Sequence, residues 1–256
     1  IIYKKMDKKY LDKMKLDKLR DIAKQLDVNQ VYKYNKDKLK DEILQRLIEF
    51  ENFEKNEKAR FRKISTLGTK GKDASTYLVQ DKKGVNYALK QYRKNKSINT
   101  ITNEIEFQTK ANKYGISPKI HYFSEYFRYT VMDKLDFTLF EVLKENKGEL
   151  SEEDQTMIVD LIYVLDRIGI FHGDPNLGNF MVNRGKKNKW YIIDFGFSKK
   201  ITPQLKRKYG TKTPNKKFMI IGILLKIKEI AGAVNLNKYK IFKKHLTPDD
   251  KRLFQL

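Results

Sequence analysis

Cysteine is absent from the 256 residues, and with it go disulfide bridges, thiolate metal sites and any cysteine nucleophile. Long apolar runs are missing as well. The longest, Phe218 to Leu225, falls far short of the roughly 20 residues that a membrane-spanning helix needs, and no signal-peptide pattern is present. A soluble, intracellular protein with no membrane partner is therefore expected, cytoplasmic or nuclear. The chain opens on Ile1 rather than Met, so further sequence upstream is expected.

Acidic side chains are in short supply: 32 Asp and Glu face 55 Lys and Arg, a formal charge of +23. Such a balance attracts polyanions, whether nucleic acid, nucleotide phosphates or acidic protein. Only ten of the basic residues are Arg, so lysine enrichment spread over solvated faces accounts for the number equally well. Bulky apolar material is plentiful. Fifteen Phe and fifteen Tyr within a 40% hydrophobic composition argue for a packed core rather than disorder. The length admits one large domain, or two lobes with a small appendage.

Hydrophobic periodicity divides the chain. From Lys8 to Phe50, Leu11, Met14, Leu19, Ile22 and Leu26, then Leu39, Ile43 and Leu47, recur at three- and four-residue intervals, with a break between Asp27 and Asn35. This predicts a helical hairpin or small all-α module over residues 1–50. Residues 51–60 are charged and nearly free of apolar side chains, which reads as a linker or a continued helix. From Phe61 to about Leu135 short β-type runs, Thr76 to Val79 and Val85 to Leu89, alternate with Gly68, Gly71 and Gly84, and one helical segment covers Asn99 to Lys113. Past Leu139 helices dominate, with Ser151 and Asp154 as a capping pair for a helix reaching about Ile168. Strand-like Phe180 to Val182 and Trp190 to Ile193 flank a Gly-Lys-Lys-Asn turn. The expected architecture is α+β: a β-rich lobe over 61–135 followed by a helical lobe over 136–256.

Chemistry concentrates in Phe171-His172-Gly173-Asp174-Pro175-Asn176-Leu177-Gly178-Asn179-Phe180 and, after the hairpin, Asp194-Phe195-Gly196. Either triplet alone reads as an ordinary turn, since Asp, Asn, Gly and Pro favour turns for local backbone reasons. Joined at this spacing, each beside a β-type run, they resemble the HRD and DFG triplets of the protein-kinase superfamily. That resemblance implies a two-lobed kinase-like fold, ATP and Mg2+ as cofactors, Asp174 as the base that accepts the nucleophile's proton, and Asn179 and Asp194 as metal ligands. His172 is expected to pack rather than to act as a base.

Further residues follow from the same resemblance. Tyr87-Ala88-Leu89-Lys90 is similar to the VAIK strand, which places Ala88 and Lys90 against the nucleotide. Glu104 is the expected ion-pair partner of Lys90, with Glu106 as the other carboxylate on that helix. Gly68 and Gly71 occupy the place of the glycine-rich loop, although the second glycine is displaced and Ala74 stands where a third is expected. Met132 falls at the gatekeeper position, with Asp133 to Leu135 as the hinge beside the base.

Departures from the family pattern narrow the type. Asn176 stands two residues after Asp174, where conventional protein kinases carry Lys. Gly173 replaces the usual Arg, and about twenty residues without an APE triplet separate Gly196 from the next apolar helix. These features resemble the reduced atypical kinases, such as the RIO family, the kinase of the tRNA threonylcarbamoyl complex and minimal kinases of large DNA viruses, a source that would allow a place in the virion. A protein serine/threonine kinase with a protein substrate is the leading expectation. A small-molecule kinase and a kinase-fold scaffold are the alternatives. Residues 16–23 and 36–47 resemble the two helices of a SAP or Rho-N motif, which implies nucleic-acid binding through residues 1–50, while a hairpin that merely packs fits the same pattern.

Overall fold

The computed structural model describes residues 8–26, 28–68, 71, 73–185 and 187–254. Asp27 of the helical break, Thr69, Lys70 and Lys72 of the glycine-bearing loop and Lys186 of the hairpin turn lie outside the described residues. The chain forms two compact units, one of Ile1–Arg62 with Asp81–Lys83, the other of Lys63–Gln80 with Gly84–Leu256.

The first unit holds helices α1 (Lys8–Asp12), α2 (Leu16–Gln25) and α3 (Lys36–Lys58), with a 3-10 turn at Val31–Lys33. Its core is the periodic set Leu11, Leu19, Ile22, Leu39, Ile43 and Leu47, joined by Ala23 and Val31. Asn35 starts α3 by accepting the Lys38 amide at 2.9 Å. Helix α3 runs unbroken to Lys58, so most of residues 51–60 is helix and not linker. That stretch contains neither Gly nor Pro and is rich in Glu and Lys. Such a composition suits a solvated helix as well as a loop, and Arg60 pairs with Glu57 at 3.3 Å at its end.

In the second unit β1 (Arg62–Leu67), β2 (Ala74–Gln80), β3 (Asn86–Tyr92), β4 (Ile120–Ser124) and β5 (Tyr129–Asp133) form a sheet in the order β1-β2-β3-β5-β4, with α4 (Ile98–Lys113) between β3 and β4. Ser97 caps α4 by accepting the Thr100 amide at 3.1 Å. The register sets Lys90 opposite Thr76 on β2 and Thr130 on β5, and Ala88 opposite Met132. Because side chains alternate along a strand, Ala88 and Lys90 share one face.

The helical lobe follows: β6 (Phe137–Thr138), α5 (Leu139–Glu145), α6 (Glu152–Arg167), β7 (Ile170–Phe171), β8 (Phe180–Asn183), β9 (Lys189–Ile192), β10 (Lys199–Lys200), α7 (Pro203–Tyr209), α8 (Pro214–Ala231), α9 (Lys240–Lys243) and α10 (Pro248–Arg252). Its core joins Ile158, Ile162 and Leu165 of α6 to Ile220, Ile223 and Leu224 of α8. Asp154 ties α6 to the hairpin by accepting from the Trp190 indole at 2.7 Å. The second unit is thus the two-lobed α+β arrangement that the motifs imply.

Candidate active site

The loop from His172 to Asn179 is held from below by helices that contribute nothing to the cavity itself. Asn215, fully buried at the start of α8, accepts the His172 amide at 2.9 Å and donates to the Ile170 carbonyl at 2.6 Å and to Asp166 at 3.0 Å. Its amide satisfies backbone that would otherwise be buried unpaired. His172 is buried and lies between two carbonyls, Asp174 O at 3.1 Å and Ile193 O at 3.0 Å. Burial pushes its pKa below the ordinary 6.5, against the opposing pull of the Ile193 carbonyl and of Asp194 and Asp174. It packs, as expected, and stays neutral near pH 7.

Two glycines bring this loop close to its neighbours. Gly173 adopts φ 82°, and a Cβ there would sit 2.8 Å from the Phe197 carbonyl oxygen. An arginine at this position is excluded by both facts. Gly222 on α8 lies under Pro175, and a Cβ would overlap the proline ring.

Above this base, Asn179 donates its amide N–H to Asp174 Oδ2 at 2.8 Å. The Asn176 backbone amide donates to Asp174 Oδ1 at 3.2 Å. Asp194 adopts φ 61°, a left-handed conformation that costs energy for a residue with a Cβ. It is held by the Lys90 ammonium at 2.9 Å and the Gly196 amide at 3.4 Å. The side chain remains 44% exposed, open to a ligand.

Lys90 also meets Glu104 at 2.6 Å, and Glu104, 1% exposed, receives Lys96 on its other oxygen at 2.8 Å and the Tyr92 hydroxyl at 3.1 Å. Burial alone would favour the neutral amine of Lys90. The Asp194 and Glu104 carboxylates outweigh it and hold the pKa above the usual lysine value. Asp194 mirrors this: burial pushes its pKa up, the Lys90 charge and hydrogen bond pull it down, and the net shift is downward.

These groups face a cavity of about 380 Å³ lined by Gly68, Ala88, Lys90, Met132, Asp133, Leu135, Asp174, Asn179 and Asp194. Glu104 stands behind Lys90 rather than on the wall. Gly71 lines an adjoining space of about 280 Å³ together with Asp73, Lys96 and Gly196. Glu106 is exposed and takes no part. The structure adds Thr76, Gln108, Met181 and Ile193 to the cavity wall, and Lys96 and Tyr92 to the ion cluster. Strand register could have found Thr76, which lies opposite Lys90. Lys96 carries no signal among 45 lysines.

Among the described residues no group of three or more His, Cys, Asp or Glu side chains gathers to hold a metal. An ion would depend on Asp194, on Asn179 and on oxygens that a phosphate brings. The donor set fits magnesium, which takes oxygen ligands, because Asn179 commits its N–H to Asp174 and keeps its amide oxygen as the remaining donor.

Residues 124–213 match the ABC1 atypical kinase-like domain. The matched stretch runs from the end of β4 to the threshold of α8 and includes Asp174, Asn179 and Asp194. Lys90 and Glu104 fall outside it. The match lies in the kinase-like superfamily to which the motifs point, and does not bear out the narrower resemblance to the RIO and threonylcarbamoyl-complex kinases. It supports kinase-like phosphotransfer as the reaction class. No curated protein matches the chain.

Proposed function

We propose that this protein is an ATP- and Mg2+-dependent protein serine/threonine kinase. The observation that carries the reading is the convergence of Asp174, Asn179, Lys90 and Asp194, from three separate stretches of sequence, on one cavity. In the reaction the acceptor hydroxyl oxygen bonds to the γ-phosphorus, the bond from that phosphorus to the β–γ bridging oxygen breaks, and ADP leaves with the electron pair. The hydroxyl proton passes to the Asp174 carboxylate, which Asn179 and the Asn176 amide hold in place. Lys90 orients the α- and β-phosphates, kept in position by Glu104. Ala88, Met132 and Leu135 line the part of the cavity that suits the flat face of an adenine, and Gly68 lets backbone approach the phosphates. Bound at Asp194 and Asn179, magnesium would neutralise phosphate charge.

A second reading draws on Asn176. Its side chain accepts the Gly178 amide at 2.8 Å, so the position where conventional protein kinases carry Lys is committed to the local turn. A small-molecule acceptor is compatible with that loop. Incubation with γ-labelled ATP and magnesium, with model proteins and with small alcohols in parallel, separates the two. Label on protein Ser or Thr supports the kinase reading; label on a small alcohol alone overturns it.

A further inference from the structure

Thirty-four residues separate Asp194 from Glu229, and among them stand ten Lys or Arg and neither Asp nor Glu. No other interval in the chain is acid-free for so long, although the whole carries 55 basic and 32 acidic groups. The preceding residues, 151–196, hold seven acids and five bases, so the sign of the charge reverses immediately after the DFG triplet. Lysine enrichment spread evenly over the surface would not produce that step.

The reversal falls beside the proposed base. The Phe197 carbonyl packs on Gly173, and the Ser198 hydroxyl donates to the His172 carbonyl at 3.2 Å, so the basic stretch begins against the two residues that precede Asp174. Ser198 then lines an open groove of about 560 Å³. Its lining includes Lys199, Lys200, Leu205 and Lys208, with Asn103 and Phe107 from α4. The three lysines are exposed, and none has a carboxylate partner among the described residues. Phe197, next to Ser198 in the chain, is 68% exposed and lines the adjoining space beside Asp194.

We propose that this groove docks the phosphoryl acceptor and selects a protein segment that carries Asp or Glu beside the acceptor hydroxyl. The inference rests on the reading of Asp174 as the base. Three exposed ammonium groups without carboxylate partners among the described residues supply the charge complementarity to acidic side chains. The proposed reading of the site as a protein kinase makes the occupant a peptide, and a nucleic acid held by the same lysines is the competing outcome of the test.

The test uses the full chain and three fluorescent probes: a short Ser-containing peptide flanked by Asp and Glu, the same peptide with Asn and Gln instead, and a single-stranded oligonucleotide. Anisotropy titrations compare the parent with the Lys199→Ala, Lys200→Ala, Lys208→Ala variant, and transfer of labelled phosphate is followed in parallel. The acidic peptide should bind the parent on the order of ten-fold tighter than its amide counterpart, and the variant should lose that preference and show a raised KM for the acidic peptide. Equal binding of the two peptides, or a preference that survives in the variant, overturns the groove. So does displacement of the acidic peptide by the oligonucleotide through the same three lysines. Acidic-peptide binding that needs the lysines but never leads to transfer would remove the phosphotransfer reading and leave the groove. Transfer that ignores charge would do the reverse.

Discussion

Lys96 Nζ lies 2.8 Å from Glu104 Oε2, on the opposite carboxylate oxygen from Lys90, which holds Oε1 at 2.6 Å. One buried carboxylate therefore serves two ammonium groups. Lys96 also comes within 4.0 Å of Asp73, while Arg93, three residues earlier, donates its backbone amide to the Asp73 carbonyl and its guanidinium to the Gly71 carbonyl, each at 3.0 Å. The β3–α4 turn thus joins α4 to the glycine-bearing loop. If a nucleotide phosphate drew Lys90 away, as the proposed function requires, Lys96 would still neutralise Glu104.

Glu104 left without either lysine would be a buried, uncompensated charge. Lys90→Met and Lys96→Met should each be tolerated, and the double variant should be less stable than the two losses summed by about 1–3 kcal/mol. Urea denaturation of the four proteins gives the coupling. Strict additivity would mean that the two lysines do not share Glu104.

Gly222→Ala places a methyl against Pro175 from a helix that never reaches the cavity. Overpacking of this kind costs about 1–3 kcal/mol, and because Pro175 directly follows Asp174, relief through the loop displaces Asp174. A shift on the order of an ångström lowers turnover by roughly a hundred-fold, while nucleotide binding stays near the parental value. Calorimetry with ATP alongside single-turnover transfer measures both. Unchanged turnover with lowered stability would uncouple Gly222 from catalysis.

Mild acid should destabilise the fold through two histidines. His172 has a folded pKa below its ordinary 6.5 because burial disfavours the imidazolium, so the unfolded chain takes up a proton in a range where the folded one does not. His245, lowered by burial with Lys216 and Lys244 beside it, acts in the same direction. Stability is complete above about pH 6.5 and falls as the pH drops toward the lower folded values. The urea midpoint should therefore be flat between about pH 7 and 8 and decline below about 6.5, and His245→Asn should keep the share that belongs to His172. A midpoint that rises on acidification through this window contradicts the assignment.

Residues 1–50 remain a proposed nucleic-acid-binding module, on the strength of paired lysine-rich helices. A protein lacking them should lose most of its affinity for duplex DNA while it keeps ATP binding, and the affinity of the whole chain should fall steeply with salt. Filter binding at two salt concentrations decides it. Equal affinity with and without residues 1–50 would make the charge diffuse.

The residues legible from sequence were those whose type is set by local chemistry. Asp174, Asn179 and Asp194 stand in loops of Gly, Asn and Pro, where a carboxylate or amide at fixed spacing is conspicuous, and Ser151 marks the start of α6 because an N-cap needs a hydroxyl. Lys90 and Glu104 could be paired because one sits on a strand and the other on the next helix. Lys96, Tyr92 and Asn215 gave no such sign. Their roles arise from packing between elements distant in sequence, as when Asn215 meets Ile170 across 45 residues. Residues 51–58 were open to two readings because Glu and Lys are at home in linkers and in solvated helices alike. Gly173 read as the loss of an arginine, whereas its φ and the approach of Phe197 show a backbone requirement.

The most direct test of the central claim is single-turnover transfer from γ-labelled ATP by the parent and the Asp174→Asn variant, with Mg2+-dependent ATP binding measured on both. The variant should lose transfer by on the order of a hundred-fold or more while it binds ATP as the parent does, because the proposed function sets Asp174 against the nucleophile and Asp194 against the metal. Near-parental turnover by Asp174→Asn would contradict the account.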